Sequence, residues 1–318
     1  MAQKTTLVGI DIAKGKVDVA IRSVAAEAWF ADSAEGRRGL LDWLKDRAVY
    51  KAVMEASGGY ERSWADLLRK AGLEVAIVDP KRVRHFAKSA GRLAKNDPID
   101  ARMIAWFGEV FDDTPGQPQD ADRQELDQMV TAKLGLVRLQ TQIDSWGEHE
   151  QPKAVQKVHQ AVLKVVATQL AKLEGLIAAK IEKTERFAQR AEIIQSVPGL
   201  GEAAAAGLIA FLPELGRVDR QAAAALLGAA PFDDDSGERR GERHIKGGRR
   251  KLRNLLYMPI MGAATQHNAV LKAYYQRLIA KGKKAKVILM ACMRKLIGIL
   301  NTMLMRGEKW DPTRHAIA

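Results

Sequence analysis

The stretch Thr5-Thr-Leu-Val-Gly-Ile-Asp-Ile12, followed after Ala13-Lys14-Gly15 by Lys16-Val-Asp-Val-Ala-Ile-Arg-Ser23, sets the expectation for the fold. The first run is apolar and β-branched, as a buried strand is. The second alternates, with Val17, Val19 and Ile21 on one face, as a half-exposed strand does. The short turn between them predicts a hairpin. Inside the first run sits one acid, Asp11, whose burial is costly unless it is paired or bound to a metal.

Outward from that hairpin, Glu27–Ala31 reads as a third strand and Arg38–Ala48, with Leu40, Leu41, Trp43 and Leu44, as an amphipathic helix. Strand Lys51–Ala56, helix Glu61–Ala71, strand Leu73–Asp79 and helices Lys81–Ser89 and Pro98–Val110 follow. Three early strands and then alternating helix and strand is the element order of a ribonuclease-H-like α/β fold. The run FDDTPGQPQDAD at 111–122, rich in proline and aspartate, reads as a linker. Beyond it, Leu126, Met129, Val130, Leu134 and Val137 recur at three and four, as do Val155, Val158, Val162, Val166, Leu170, Leu173 and Ile177. These predict two long helices, an antiparallel pair or an interchain coiled coil. From Ile194 onward the chain reads as mostly α. The expected division is 1–111, 112–192 and 193–318.

The chain of 318 residues has a net charge of +13, unevenly spread. Residues 1–111 carry +4, residues 112–235 carry −6, and residues 236–318 carry +15. A basic block after an acidic middle points to a localised phosphate-binding surface. One cysteine excludes a disulfide scaffold, and no Cys or His spacing matches a zinc site. No signal-peptide layout or unbroken apolar span is read, so the expectation is a cytoplasmic protein without a membrane partner.

Four carboxylates occupy positions where chemistry is feasible. Asp11 is in the first strand, Glu55 ends a strand just before Ser57-Gly-Gly59, and Asp97 and Asp100 are spaced i, i+3 at a helix start. Asp97 before Pro98 is also a good N-cap, with Asp100 at N3. Converging hard oxygen ligands of this kind suit Mg²⁺ or Mn²⁺, and such ions stabilise attacking and leaving oxygens in phosphoryl transfer. In the last quarter, residues 239–253 contain eight basic side chains and one acid. Arg239, Arg240, Arg243 and Lys246 precede Gly247-Gly248, which opens a helix carrying Arg249, Arg250 and Arg253; guanidinium groups at a helix start make a phosphate site. Ser236 at the edge of this block is a turn residue or a nucleophile. Upstream, Ser196-Val-Pro-Gly199-Leu-Gly201 resembles a helix-hairpin-helix turn, whose glycines let backbone N–H groups approach a phosphate; an ordinary glycine turn reads the same.

Together, Gly9-Ile-Asp11-Ile-Ala-Lys14, Glu55-Ala-Ser-Gly-Gly-Tyr60, Lys95-Asn-Asp97-Pro-Ile-Asp100-Ala-Arg-Met-Ile-Ala105, Val197-Pro-Gly-Leu-Gly201 and Ser236-Gly-Glu-Arg-Arg-Gly241…Gly248-Arg-Arg-Lys-Leu-Arg253 occur in the order found in DEDD insertion-sequence transposases. The chain resembles that family, which includes the Piv-type DNA invertases and the bridge-RNA-guided serine recombinases. The resemblance implies a RuvC-like N-terminal domain, a coiled-coil linker and a C-terminal transposase domain. It implies that Asp11, Glu55, Asp97 and Asp100 are the acidic tetrad and that Ser236 forms a 5′-phosphoserine link with DNA. It further implies a homo-oligomer, tetrameric in the synaptic complex, and a structured noncoding RNA that selects DNA. A hydrolytic nuclease of the same fold, such as a junction resolvase, and a nucleic-acid-binding scaffold are the rival readings. Asp233-Asp234-Asp235 departs from an all-basic setting for Ser236, since three acids there repel phosphate.

Overall fold

The computed structural model describes residues 6–91, 97–111, 120–149, 151–233, 241 and 243–315, the side chains of 97–99 and 315 excepted. The chain divides into two compact units, Met1–Gln119 and Asp120–Ala318.

The first unit is an α/β layer built on a mixed sheet. Strands β1 (Thr6–Ala13), β2 (Lys16–Ile21), β3 (Ala26–Ala31), β4 (Val49–Glu55) and β5 (Glu74–Val78) lie in the order β3-β2-β1-β4-β5. The expected hairpin is present: β1 and β2 are antiparallel, as are β2 and β3. The sheet then continues with β4 and β5 parallel to β1. Helix α1 (Ala34–Lys45) starts four residues earlier than its apolar pattern, because Ser33 accepts a hydrogen bond from the Gly36 N–H at 3.1 Å and caps it. Helices α2 (Glu61–Lys70), α3 (Pro80–Ser89) and α4 (Asp97–Val110) fall where periodicity puts them.

Side-chain parity splits the sheet's two faces into separate cores. Val8, Ile10 and Ile12 of β1 and Ala52 and Met54 of β4 pack with Leu40 and Leu44 of α1 and Trp64 and Leu68 of α2. Leu7, Val53, Ala76 and Val78 face the other way, onto Val83, Met103, Ile104 and Phe107 of α3 and α4. The expectation of a half-exposed β2 is corrected here. Every residue from Val17 to Ile21 is buried, because α4 covers the face that carries Asp18 and Ala20.

The second unit is mostly helical. Helices α5 (Ala121–Trp146) and α6 (Lys153–Lys183) form an antiparallel pair, with Lys133 bound to Glu174 at 2.7 Å and Lys180 to Asp122 at 2.9 Å. At their base Leu126, Val130 and Ile177 join one core with α7 (Glu185–Gln195), α8 (Glu202–Phe211), α9 (Arg220–Leu227), α10 (Arg250–Gly262), α11 (Ala269–Ala280) and α12 (Ala285–Arg306). A π-helical turn, Ala263–His267, joins α10 to α11, and a short α13 (Pro312–His315) follows α12. A two-stranded ribbon, β6 (Pro231–Phe232) with β7 (His244–Ile245), precedes α10. Helix α12 is apolar enough over its length to pass for a membrane span despite Arg294 and Lys295, yet 61% of that window is buried in this core.

Candidate functional site

Register and parity bring two of the nominated carboxylates to one place. Gly9 of β1 pairs with Val53 of β4, so continuing the parallel register sets Asp11 beside Glu55. Asp11 shares the face of Leu7 and Gly9, and Glu55 that of Val53, because alternate residues of a strand point the same way. Both carboxylates are half-buried at the carboxyl edge of the sheet, where ligands gather in open α/β sheets.

Helix α4 covers that face and runs back along β1. A Cβ on Gly9 would lie 2.3 Å from the Ala101 carbonyl oxygen and 2.3 Å from the Ala105 nitrogen, while one on Gly108 would lie 2.6 Å from Val53 Cγ2. The helix backbone therefore rests directly on the strand, and only glycine permits the approach. Ala101 lies over Gly9, so the helix start, with Asp97 and Asp100, lies toward the end of β1 that holds Asp11. Arg22 with Glu109, and Arg102 with Glu27, tie α4 to the β2 and β3 side. The donors fit a hard divalent cation in kind. Among the described residues, no group of three or more His, Cys, Asp or Glu could hold a metal ion; Asp100 is half-buried, and the side chain of Asp97 lies outside them.

Two further acids near this edge were not nominated. Asp18 lies opposite Asp11 across the hairpin, on the same face, is 8% exposed, and pairs with Lys16 at 2.9 Å. Its signal was present in the Val-Asp-Val alternation of β2, which places it opposite the Val17–Val19 face. Glu61, at the start of α2, accepts hydrogen bonds from the Ser57 N–H (2.9 Å), the Ser57 hydroxyl (2.9 Å) and the Gly59 N–H (2.8 Å). Burial pushes its carboxyl up, but these bonds outweigh burial and hold it below the usual range. The loop that follows Glu55 is thereby fastened.

In the second unit, Ser236, Arg239 and Arg240 lie outside the described residues. Their flanks are ordered by the β6–β7 ribbon and by an ion pair between Asp233 and Arg243 at 2.6 Å. Thus one of the three acids before Ser236 is neutralised by a nominated phosphate ligand. Lys246 is exposed, as is Arg250 at the first turn of α10. Arg249 instead binds Glu214 through two bonds, 2.6 and 2.5 Å, and Arg253 donates to the carbonyls of Gly228 (3.0 Å) and Gly247 (3.1 Å). Burial raises the Glu214 carboxyl, but the Arg249 guanidinium more than offsets this and holds it low. Gly248 and Gly228 meet backbone to backbone, both at positive φ, so a Cβ on Gly248 would lie 2.2 Å from the Gly228 nitrogen. The foot of the basic segment is in this way clamped to the end of α9.

The turn between α7 and α8 links two helices, as both a helix-hairpin-helix turn and an ordinary glycine turn would. Gly199 (φ +94) packs against Ala263, where a Cβ would come within 2.6 Å, so this glycine serves packing. Gly201 precedes α8 with open space around it.

Comparison with known proteins adds the following. Residues 8–144 match the DEDD-type IS110 transposase model, and residues 191–276 match the transposase model of the IS116/IS110/IS902 family. The pilin gene-inverting protein of Moraxella bovis is 24% identical over 98% of this chain and 99% of its own length, and that of Moraxella lacunata is equally similar. A 44.8 kDa protein of insertion element IS116 from Streptomyces clavuligerus is 33% identical over 42% of this chain and 34% of its own.

Proposed function

This chain belongs to the insertion-sequence transposase family whose two domain models it carries in order, and from that membership we propose that it cuts and rejoins DNA by serine attack. The observation that carries the reading is the setting of Asp11 beside Glu55 under the start of α4, in a chain similar end to end to a gene-inverting protein.

In this reading the first unit is a RuvC-like domain. Asp11, Glu55, Asp97 and Asp100 would hold a divalent cation, Mg²⁺ or Mn²⁺. When bound, such an ion offsets developing charge on the scissile phosphate. The Ser236 hydroxyl attacks phosphorus, a P–O bond to the serine forms, and the bond to the 3′ oxygen breaks. That oxygen leaves as a 3′-hydroxyl, taking up a proton, while the serine proton passes to a neighbouring base. The phosphoserine keeps the energy of the diester, so attack by the 3′-hydroxyl of another strand rejoins DNA and releases the serine without ATP. Arg239, Arg240, Arg243 and Lys246 grip the backbone. A structured noncoding RNA selects the DNA.

Assembly is assigned to the α5–α6 pair. Val155, Val158, Val162 and Val165 are exposed by 39, 61, 41 and 60% and spaced three, four, three, the pattern of a coiled-coil seam facing a second copy.

The test is to trap the covalent adduct on nicked cognate DNA. Ser236→Ala should abolish it while DNA binding survives, and Asp11→Ala should remove Mg²⁺-dependent cleavage. Full recombination by Ser236→Ala would overturn serine attack and leave the serine a turn residue.

A further inference from the structure

A second set of cations lies outside the basic segment 239–253 that follows Ser236. A cleft of about 280 Å³ is lined by Arg220 of α9, Lys295, Thr302 and Arg306 of α12, and Glu308 and Arg314 after it. Its one acid is already engaged, since Glu308 binds Arg314 at 2.9 Å. Among the described residues, no carboxylate forms an ion pair with Arg220, Lys295, Arg306 or the neighbouring Arg277.

Local packing gathers these cations in spite of their repulsion. Positions 295, 298, 302 and 306 share one face of α12 by their spacing of three and four. Gly298 opens a gap in that face. A Cβ there would stand 3.0 Å from Arg220 Nε and 3.4 Å from its Nη2, so the guanidinium lies across the bare helix. The ring of Tyr274 on α11 takes Lys295 Nζ at 5.1 Å and Arg277 at 5.2 Å from its centre, which offers π electrons in place of a carboxylate. Burial, followed by Arg277 and Arg220, pushes the Lys295 ammonium below its ordinary range. Cations drawn together without counter-ions are unfavourable in the free protein and favourable once an anion arrives.

The row from Lys295 to Arg306 is about 16 Å long at 1.5 Å per residue. One small anion would meet only a part of it, whereas a nucleic-acid backbone presents a charge every few ångströms. We propose that the α9–α12 cleft is a second phosphate-binding site, in which Arg220, Lys295 and Arg306 hold successive phosphodiesters of a nucleic-acid strand. This rests on the reading of the chain as a DNA recombinase. No cleft residue belongs to the segment 239–253, so the protein would hold nucleic acid at two places.

The test compares the full chain with the triple variant Arg220→Ala, Lys295→Met, Arg306→Ala. Binding to duplex DNA and to hairpin RNA of equal length is followed across salt. The triple variant should bind several-fold more weakly and lose about one unit or more of the slope of log K against log salt, at ~0.9 per duplex phosphate and ~0.7 per single-strand phosphate. A loss on DNA alone assigns the site to DNA, and a loss on RNA alone to RNA. A control variant removes three exposed cations of α6, Lys153, Lys157 and Lys164. Equal losses in both variants would mean that only net charge counts and would overturn the site, as would unchanged affinity and slope on both polymers. Failure of the parent chain to bind either polymer would overturn the recombinase reading along with it. Lys295→Met alone should melt no lower than the parent, because it relieves repulsion; a clear drop in its midpoint would make Lys295 a structural residue and overturn its role here.

Discussion

At the foot of β4 one carboxylate, that of Glu61, accepts bonds from Ser57 and Gly59 and closes the loop after Glu55. Hydrogen bonds to a charged acceptor contribute about 1.5–3 kcal/mol, and an orphaned buried donor costs about as much. Glu61→Ala should therefore lower unfolding stability in urea by about 2–3 kcal/mol. Its pH dependence has a definite sign. The folded carboxyl titrates below its unfolded value, so the unfolded chain takes up the proton first. The contribution is complete above the unfolded value, near pH 4.3 for a free glutamate, and disappears as pH falls through the folded one. The stability gap between the parent and Glu61→Gln should be flat from neutral pH to about 5 and shrink below 4; a gap that grows on acidification would refute this role. Glu61 was legible as the first residue of a helix. Its bonds were not, because they depend on Gly58 and Gly59 turning back at φ +75 and +117. Arg249 and Arg253 teach the same limit. Both read as phosphate ligands from a basic run, yet Glu214, thirty-five residues away, and the Gly228 carbonyl engage them in the fold.

At the scale of elements, the candidate metal edge depends on how closely α4 lies on β1. The sequence pattern already placed Asp11 inside the first strand and Glu55 at the end of another, and the spacing of Asp97 and Asp100 placed both at a helix start. The hairpin and the alternating elements were readable for the same reason, since periods of two and near 3.6 are local properties. What the sequence could not supply is the layer to which α4 belongs, because that follows from long-range contact. Gly9 records it. Gly9→Ala would drive a Cβ into the Ala101 carbonyl and Ala105 nitrogen, backbone atoms that cannot rotate away. The helix must lift, at a cost of about 1–3 kcal/mol, and its start must shift relative to Asp11. Thermal melting should fall, and metal-dependent cleavage should fall further than the loss of folded protein explains. Gly135→Ala, in the open middle of α5 where nothing lies within 4 Å, should raise the midpoint, since alanine favours a helix by up to about 1 kcal/mol. Equal behaviour of the two variants would mean that the β1–α4 approach is not tight.

At the scale of the whole chain, positive charge is concentrated in the last quarter of the sequence, and a row of valines stands exposed on α6. The basic last quarter was visible by counting; its division into a clamped segment before α10 and a cleft on α12 was not, since Arg220 and Lys295 lie seventy-five residues apart in sequence. The long helices also left a choice that periodicity cannot make, because an intrachain pair and an interchain seam share one repeat. The fold separates the two sets. Ile143, Val166 and Ile177 are buried within the chain, and Val155, Val158, Val162 and Val165 remain exposed. In the proposed assembly this exposed apolar stripe is the contact surface between copies. Val158→Glu with Val165→Glu removes no internal contact of consequence, so melting of the folded chain should change by no more than about 0.5 kcal/mol per site. Sedimentation should nevertheless shift from an assembled species toward the monomer, and adduct formation on paired DNA sites should fall while binding to a single site persists. Assembly unaffected by both charges would place the contact between copies elsewhere and leave the valine stripe without a partner.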